Sequence, residues 1–291
     1  MSTPPAPARL HILLASHAPV GIVIRRGPAK QVCTLLWDRK KDTFSLGQWL
    51  KGRIYERRCD LSPHGKHFLY FAMDARRSRE GPPCWTAISR TPWLRAIALY
   101  GEEETWLGGG RFLDDQSYSV NGGVFFQTLR ESPEIKRKLP DPNLPPRPIS
   151  ELTASPFPIT GDLGVYYPRL LREGWTMTEQ HKSDRNHTRD IFEKPATGGW
   201  ILQKVAHSQI GSGKAKGKGV HWDEHNLIHP RNNISIAQPD WEWLDTDGPR
   251  LVWATNGQLW TGNLSKTGLK ETRLLHDFND MKFEAIKAPY E

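Results

Sequence analysis

Five side chains able to move protons or bind metal crowd into HWDEHNLIH, residues 221–229. His221, Asp223, Glu224, His225 and His229 offer imidazole nitrogen and carboxylate oxygen, a donor set that suits zinc. The order His-x-x-Glu-His formally matches the inverted zinc-hydrolase motif, which needs a helix to bring His221 and His225 to one face. A metal-dependent hydrolase or lyase would then centre on His221, Glu224, His225 and His229. Gly219 before the stretch and Pro230 after it favour a strand instead, which puts His221, Asp223 and His225 on a common face. A polar turn whose histidines cap or pack on tryptophan would need no metal. The expected cofactor is none, with zinc as the alternative.

Other stretches carry weaker chemistry. GSGKAKGKG, residues 211–219, has glycines and lysines but not the Gly-x4-Gly-Lys-Ser/Thr spacing of a phosphate loop. It reads as a mobile basic hairpin tip, whose Lys214, Lys216 and Lys218 could touch phosphates or an acidic partner. CWTAISRTPWL, residues 84–94, sets Trp85 and Trp93 around Arg90, either as a ring-stacking surface or as one half-buried strand. The acidic islands GEEETW and FLDDQS could do acid–base work or bind calcium, but show no spaced ligand pattern and read as solvated turns. No Gly-x-Ser-x-Gly elbow anchors a serine hydrolase.

These groups must be held by strands. QVCTLLWD, HFLYFAMD, WTAISR, AIALYG, GVFFQTL, GWILQKVA, RLVWAT, QLWTGNL and ETRLLHDF are short apolar or alternating runs between turn formers. HILLAS and GIVIRR predict two strands joined at Ala18–Pro19. They are broken by His17 and Pro19 and lack a charged leader, so neither a signal peptide nor a membrane span fits. SPEIKRKL (132–139) and PRLLREG (168–174) are the best helical candidates. The segment 139–160 holds seven prolines and predicts an irregular crossing or linker.

One pattern recurs. DLSPHGKHFLY (60–70) aligns with WLDTDGPRLVW (243–253), matching Leu61 with Leu244, Gly65 with Gly248 and Tyr70 with Trp253. Each is a strand end, a glycine turn and an apolar strand, followed by a further strand carrying Trp. Weaker relatives lie at 25–38, 97–112 and 194–206, a spacing of the order of a propeller blade. Pro63 presets one turn angle and Gly65 takes a positive one. DLSPHGKHFLYFA resembles the Ser-Pro-Asp-Gly-Lys turn of WD40-like and TolB-like β-propellers, with His64 in place of Asp. GRIYERRCDLSPHGK, CWTAISRTPWL, RLVWATNGQLW and DFNDMKFEAIKAPYE together also resemble a bacterial protein family, a likeness that implies no particular chemistry. The expected fold is all-β, a single β-propeller domain of five or six irregular blades spanning 1–291, with a β-barrel or sandwich pair as the alternative. The first strands are expected to pair with the last, near 273–288, to close the ring.

Composition sets the partner classes. The 291 residues are 37% hydrophobic and 25% charged, which excludes disorder. Three cysteines without CxxC spacing exclude a disulfide framework and fit reduced thiols in a cytoplasmic protein. The net charge of +8 is confined to residues 1–130, with 19 Lys and Arg against 11 Asp and Glu. A basic face can attract nucleic acid or an acidic protein. The leading expectation is a non-enzymatic interaction module that binds a protein partner through a basic rim of Arg57, Arg58, Arg76, Arg77 and Trp93. A nucleic-acid binder and the metal-dependent enzyme are the alternatives.

Overall fold

The short apolar runs form strands almost throughout. The structure is a computed structural model that describes residues 6–27, 30–74, 81–121, 126–138, 163–182, 187–209 and 219–291. The proline-rich segment 139–160 and residues 211–218 of the basic loop lie outside the described residues, as do Arg76, Arg77, Lys214, Lys216 and Lys218.

Arg9–Leu14 (β1), Val20–Arg26 (β2), Gln31–Asp38 (β3) and Thr43–Lys51 (β4) make the first sheet in chain order. Arg53–Ile54 (β5), Asp60–Leu61 (β6), His67–Met73 (β7), Cys84–Arg90 (β8) and Ala96–Glu102 (β9) follow. Then come Gly110–Phe112 (β10), Ser117–Val120 (β11), Gln127–Arg130 (β12) and Lys136–Arg137 (β13). The second sheet runs β12-β9-β8-β7-β5, with β6 also on β7; the third runs β10-β11-β13. Helix α1, Leu163–Arg172, precedes Thr176–Lys182 (β14), His187–Pro195 (β15), Ile201–Gln209 (β16), His221–His229 (β17) and Ile234–Gln238 (β18). The fourth sheet keeps the order β14-β15-β16-β17-β18. Trp241–Asp247 (β19), Arg250–Thr255 (β20), Gln258–Ser265 (β21) and Gly268–Asp277 (β22) form the fifth, again in order. The fold is all-β, and the described residues form five sheets, none of which closes on itself among them. Pairing is antiparallel apart from β11 with β13.

The chain divides into two compact units. One comprises Met1–Ala6, Ile12–Leu170 and Lys282–Glu291; the other comprises Pro7–His11 and Leu171–Met281. In the first unit β7 is buried on both faces. Phe68, Tyr70 and Ala72 pack with Leu13, Ile22 and Ile24 on one side. Leu69 packs with Ile88, Tyr100, Phe112 and Tyr118 on the other. Fully burying one such large side chain stabilises the fold by about 1.5–3 kcal/mol, which is why this strand tolerates no polar face.

The two similar hairpins open two similar meanders, β6–β7–β8–β9 and β19–β20–β21–β22. In the first, the Gly65 N–H donates to the Ser62 carbonyl at 2.8 Å and the His67 N–H to Ser62 Oγ at 3.0 Å. Gly65 has φ +71°, and a Cβ there would lie 2.4 Å from Val20 Cγ2. Gly248 keeps the positive angle, φ +61°, in a shorter turn that pairs Asp247 with Arg250. Leu61 faces Phe68 while Leu244 faces Trp253, a two-residue offset from the sequence alignment that leaves every side chain on its face.

Two expectations fail. SPEIKRKL does not form a helix: turns lead into β13, because the β11 edge offers its backbone a partner. PRLLREG does lie largely within α1. The first strands do not pair with the last: β1 is bonded to β2 and β22 to β21, so no ring closes by strand pairing among the described residues. Side chains tie the start of the chain to the turn after β22 and to β19 instead. The Ala8 N–H donates to Asn279 Oδ1 at 2.9 Å and the Leu10 N–H to Glu242 Oε2 at 2.8 Å. Among the described residues no helix is long and apolar enough to cross a membrane.

Candidate functional site

HWDEHNLIH is strand β17, so the helical zinc motif does not form. Its neighbours on both sides, β16 and β18, hold it extended. Alternation sends His221, Asp223, His225 and His229 to one face and Trp222 and Glu224 to the other. Glu224 therefore cannot join the three histidines. It reaches His207 Nε2 at 3.4 Å, on a ring that stacks on Trp222 with centroids 4.6 Å apart. Burial lowers the pKa of His207, and Glu224 only partly opposes this. His229 is buried edge-on against Trp200, 5.1 Å between centroids. Among the described residues no three His, Cys, Asp or Glu side chains are grouped to hold a metal ion.

The face that carries His225 is buried at its centre and holds charge there. Asp190, Lys204 and His225 are 1–2% exposed. Lys204 lies opposite His225 in the register, and His225 Nδ1 is 3.1 Å from the Trp241 carbonyl. The Lys204 ammonium sits 4.4 Å from the ring centre of buried Trp175, and the Lys194 ammonium 5.8 Å from it. Lys194 is paired with Asp245 at 2.6 Å, whose other oxygen accepts the Trp175 indole N–H at 3.4 Å. This is a buried charge network built on an indole, and its groups are engaged with one another.

In the first unit Arg57 and Arg58 lie on a 3-10 turn, Glu56–Arg58. They are 6% and 5% exposed, so they do not form an accessible basic rim. Aromatic neighbours explain this, because a weakly hydrated guanidinium is readily buried over a ring. Arg57 lies 4.7 Å over Tyr166, and Arg58 lies 5.0 Å over Phe71 and 5.4 Å over Tyr55. Trp93 is half-buried in the turn after β8, its N–H donating to the Arg90 carbonyl at 2.8 Å.

Arg58 builds something else. Its Nη1 donates to the carbonyls of Thr105 and Leu107, both at 2.6 Å. The residue between them, Trp106, is thereby turned outward and is 59% exposed. The loop from β9 to β10 is fixed behind it. Gly109 N–H donates to Thr86 Oγ1 at 2.7 Å, and Thr86 Oγ1–H donates to Glu102 Oε1 at 2.8 Å. Asn121 brackets the glycines, its N–H donating to the Gly109 carbonyl at 2.8 Å and its Nδ2 to the Gly108 carbonyl at 3.2 Å. Gly108 and Gly109 have φ +97° and +77°. A Cβ on Gly109 would lie 2.3 Å from the Arg58 carbonyl oxygen.

Glu102 corrects the reading of GEEETW as wholly solvated. It is 4% exposed, and burial pushes its carboxyl from 4.5 up to about 7 against the opposing effects of Thr86 and Arg58. Glu103 and Glu104 are exposed beside Trp106. In FLDDQS, Asp114 accepts from Gln116 N–H and Ser117 Oγ–H, and Asp115 from the His64 N–H at 2.9 Å. The aspartate missing from the Ser-Pro-x-Gly turn is thus met by a carboxylate from another loop. The missed residues, Trp106 and Glu102, had one signal: the run WLGGG, in which glycines follow a tryptophan.

The three cysteines are free and buried. Burial pushes Cys33 up to about 12 and Cys84 up to about 11, so neither is a ready nucleophile. Compared with known proteins, no family model matches this sequence, and no curated protein shows significant similarity to it.

Proposed function

We propose that this chain is a non-enzymatic interaction module that holds a protein partner through Trp106, in its N-terminal half. The observation that carries this is the 59% exposure of an indole whose flanking carbonyls are both held by a buried guanidinium. A large aromatic whose flanking backbone is held before binding loses less entropy on contact, and tryptophan is among the residue types that dominate interface energetics. Exposed Glu103 and Glu104 beside it favour a partner surface that is basic around an apolar pocket. This replaces the basic rim, two of whose arginines are buried.

The finer architecture belongs to the same proposal. Five sheets, most of them meanders in chain order, and a second sheet packed on both faces support blades of a β-propeller. Three free thiols support a cytoplasmic setting.

The test is affinity capture from nuclease-treated lysate with the native chain and Trp106→Ala in parallel. A stoichiometric protein held by the native chain and reduced at least about tenfold by the substitution is expected. Equal capture by both, or loss of all prey on nuclease treatment, would overturn the reading.

A further inference from the structure

The segment after β22 packs on the first unit, on residues other than those that hold Trp106. Residues 282–291 belong to the first unit although the preceding strands belong to the other. They lie extended, with Phe283, Ile286, Ala288 and Tyr290 half-buried and Lys282, Glu284, Lys287 and Glu291 exposed. Three anchors hold them. Phe283 packs against Trp49 at 5.9 Å between centroids, under the Lys51 ammonium at 4.6 Å. The Ile286 carbonyl accepts from Gln48 Nε2 at 2.8 Å. The Tyr290 ring lies 4.8 Å from the Arg90 guanidinium, while its hydroxyl accepts from the Arg90 N–H at 3.1 Å and donates to the Arg95 carbonyl at 2.7 Å.

The groove is fixed without help from the segment. Gln48 Oε1 accepts from the Leu94 and Arg95 N–H groups at 2.8 and 2.9 Å, which aims its amide nitrogen outward. Arg90 is clamped by both oxygens of Glu134. By contrast, among the described residues no backbone–backbone hydrogen bond joins 282–291 to the sheets. A preformed groove filled by a strap that rests on side-chain anchors alone is the arrangement of a receptor and an exchangeable ligand.

We infer that this groove is a peptide-binding site for an extended partner segment that presents an aromatic ring, an aliphatic residue three positions on and a tyrosine four beyond that. The chain's own 283–290 fills it as an intramolecular competitor. Tethering gives the strap a high effective concentration, so a free peptide binds the native chain poorly.

The experiment measures fluorescence anisotropy of a labelled peptide with the sequence of residues 279–291. Phe283→Ala/Tyr290→Ala, which disables the strap, is expected to bind it about tenfold or more tightly than the native chain does. Adding Trp49→Ala and Arg90→Ala should abolish that binding. Equal binding by native and double variant, or no binding to either, overturns the inference. Should the double variant fail to fold, a protease site placed after Met281 and cut after folding releases the tether instead. Exchange of the cut segment for labelled peptide supports the inference, and irreversible retention or unfolding overturns it. A native dimer by light scattering that vanishes in the double variant would assign the groove to the strap of a second copy and overturn the partner-peptide reading.

Discussion

Each unit buries charge, and the two do so for different ends. In the first, Arg58 gives its hydrogen bonds to two loop carbonyls, and Glu102 works through Thr86 on a glycine backbone. The charge is used on backbone that no ladder satisfies, so a loop becomes rigid and a tryptophan faces water. In the second, Lys194, Lys204, Trp175 and Asp245 satisfy one another between strands of the fourth sheet and β19 of the fifth. There the charge fixes packing and presents nothing. Similar groups therefore hold an outward-facing loop in one place and a core in the other, and the partner of the charge tells them apart.

Substitutions separate the two. Arg58→Ala leaves two carbonyls and a buried carboxyl without their donor or counter-charge, and is expected to destabilise by about 4 kcal/mol. Urea unfolding checks this, and a loss under about 1 kcal/mol would mean that the loop is held by other contacts. Gly109→Ala forces a Cβ against the Arg58 backbone at a positive φ and should follow at about 3 kcal/mol. Asp245→Asn removes the counter-charge of a partly buried lysine and is expected to give about 2 kcal/mol, with no change in partner capture.

The pH dependence sharpens the contrast further. Glu102 is protonated up to about 7 when folded but only to 4.5 at its ordinary value. Folding retains a proton that the unfolded chain releases, so this contribution is full below 4.5 and declines as pH rises towards 7. The decline is at most about 1.4 kcal/mol per pH unit. Glu102→Gln should remove it, so the variant gains on the native chain between mildly acidic and mildly alkaline buffer. A constant difference across that range would show that Glu102 does not titrate on unfolding. The smallest stability effect is expected for Trp106→Ala, within about 0.5 kcal/mol in thermal unfolding, because the ring is already exposed. Its large effect belongs to partner capture alone.

Strand positions were legible because apolar runs such as HFLYFAM and RLVWAT record burial directly. The glycine turns were legible because Gly65 and Gly248 need angles that other residues resist. Their registers were not, since loop length shifts pairing without changing face. HWDEHNLIH satisfied a helical spacing by accident, and only its ladder with β16 and β18 decides the matter. The arginines misled for a different reason. Charge at positions 57 and 58 reads as solvated, and beyond the adjacent Tyr55 nothing local reveals that Tyr166 and Phe71 arrive from other segments to cover it. Glu102 was hidden likewise among two exposed neighbours of its own kind.

The interleaving of the two units bears on how the protein can be made. Pro7–His11, early in the chain, belongs to the unit built mainly from Leu171–Met281, and Lys282–Glu291 belongs to the unit built mainly from Ile12–Leu170. During synthesis the later unit reclaims one of the earliest segments, while the groove of the earlier unit stands ready before the strap emerges. The later unit therefore cannot be made from one continuous stretch, and cutting the chain between Leu170 and Leu171 would part it from Pro7–His11.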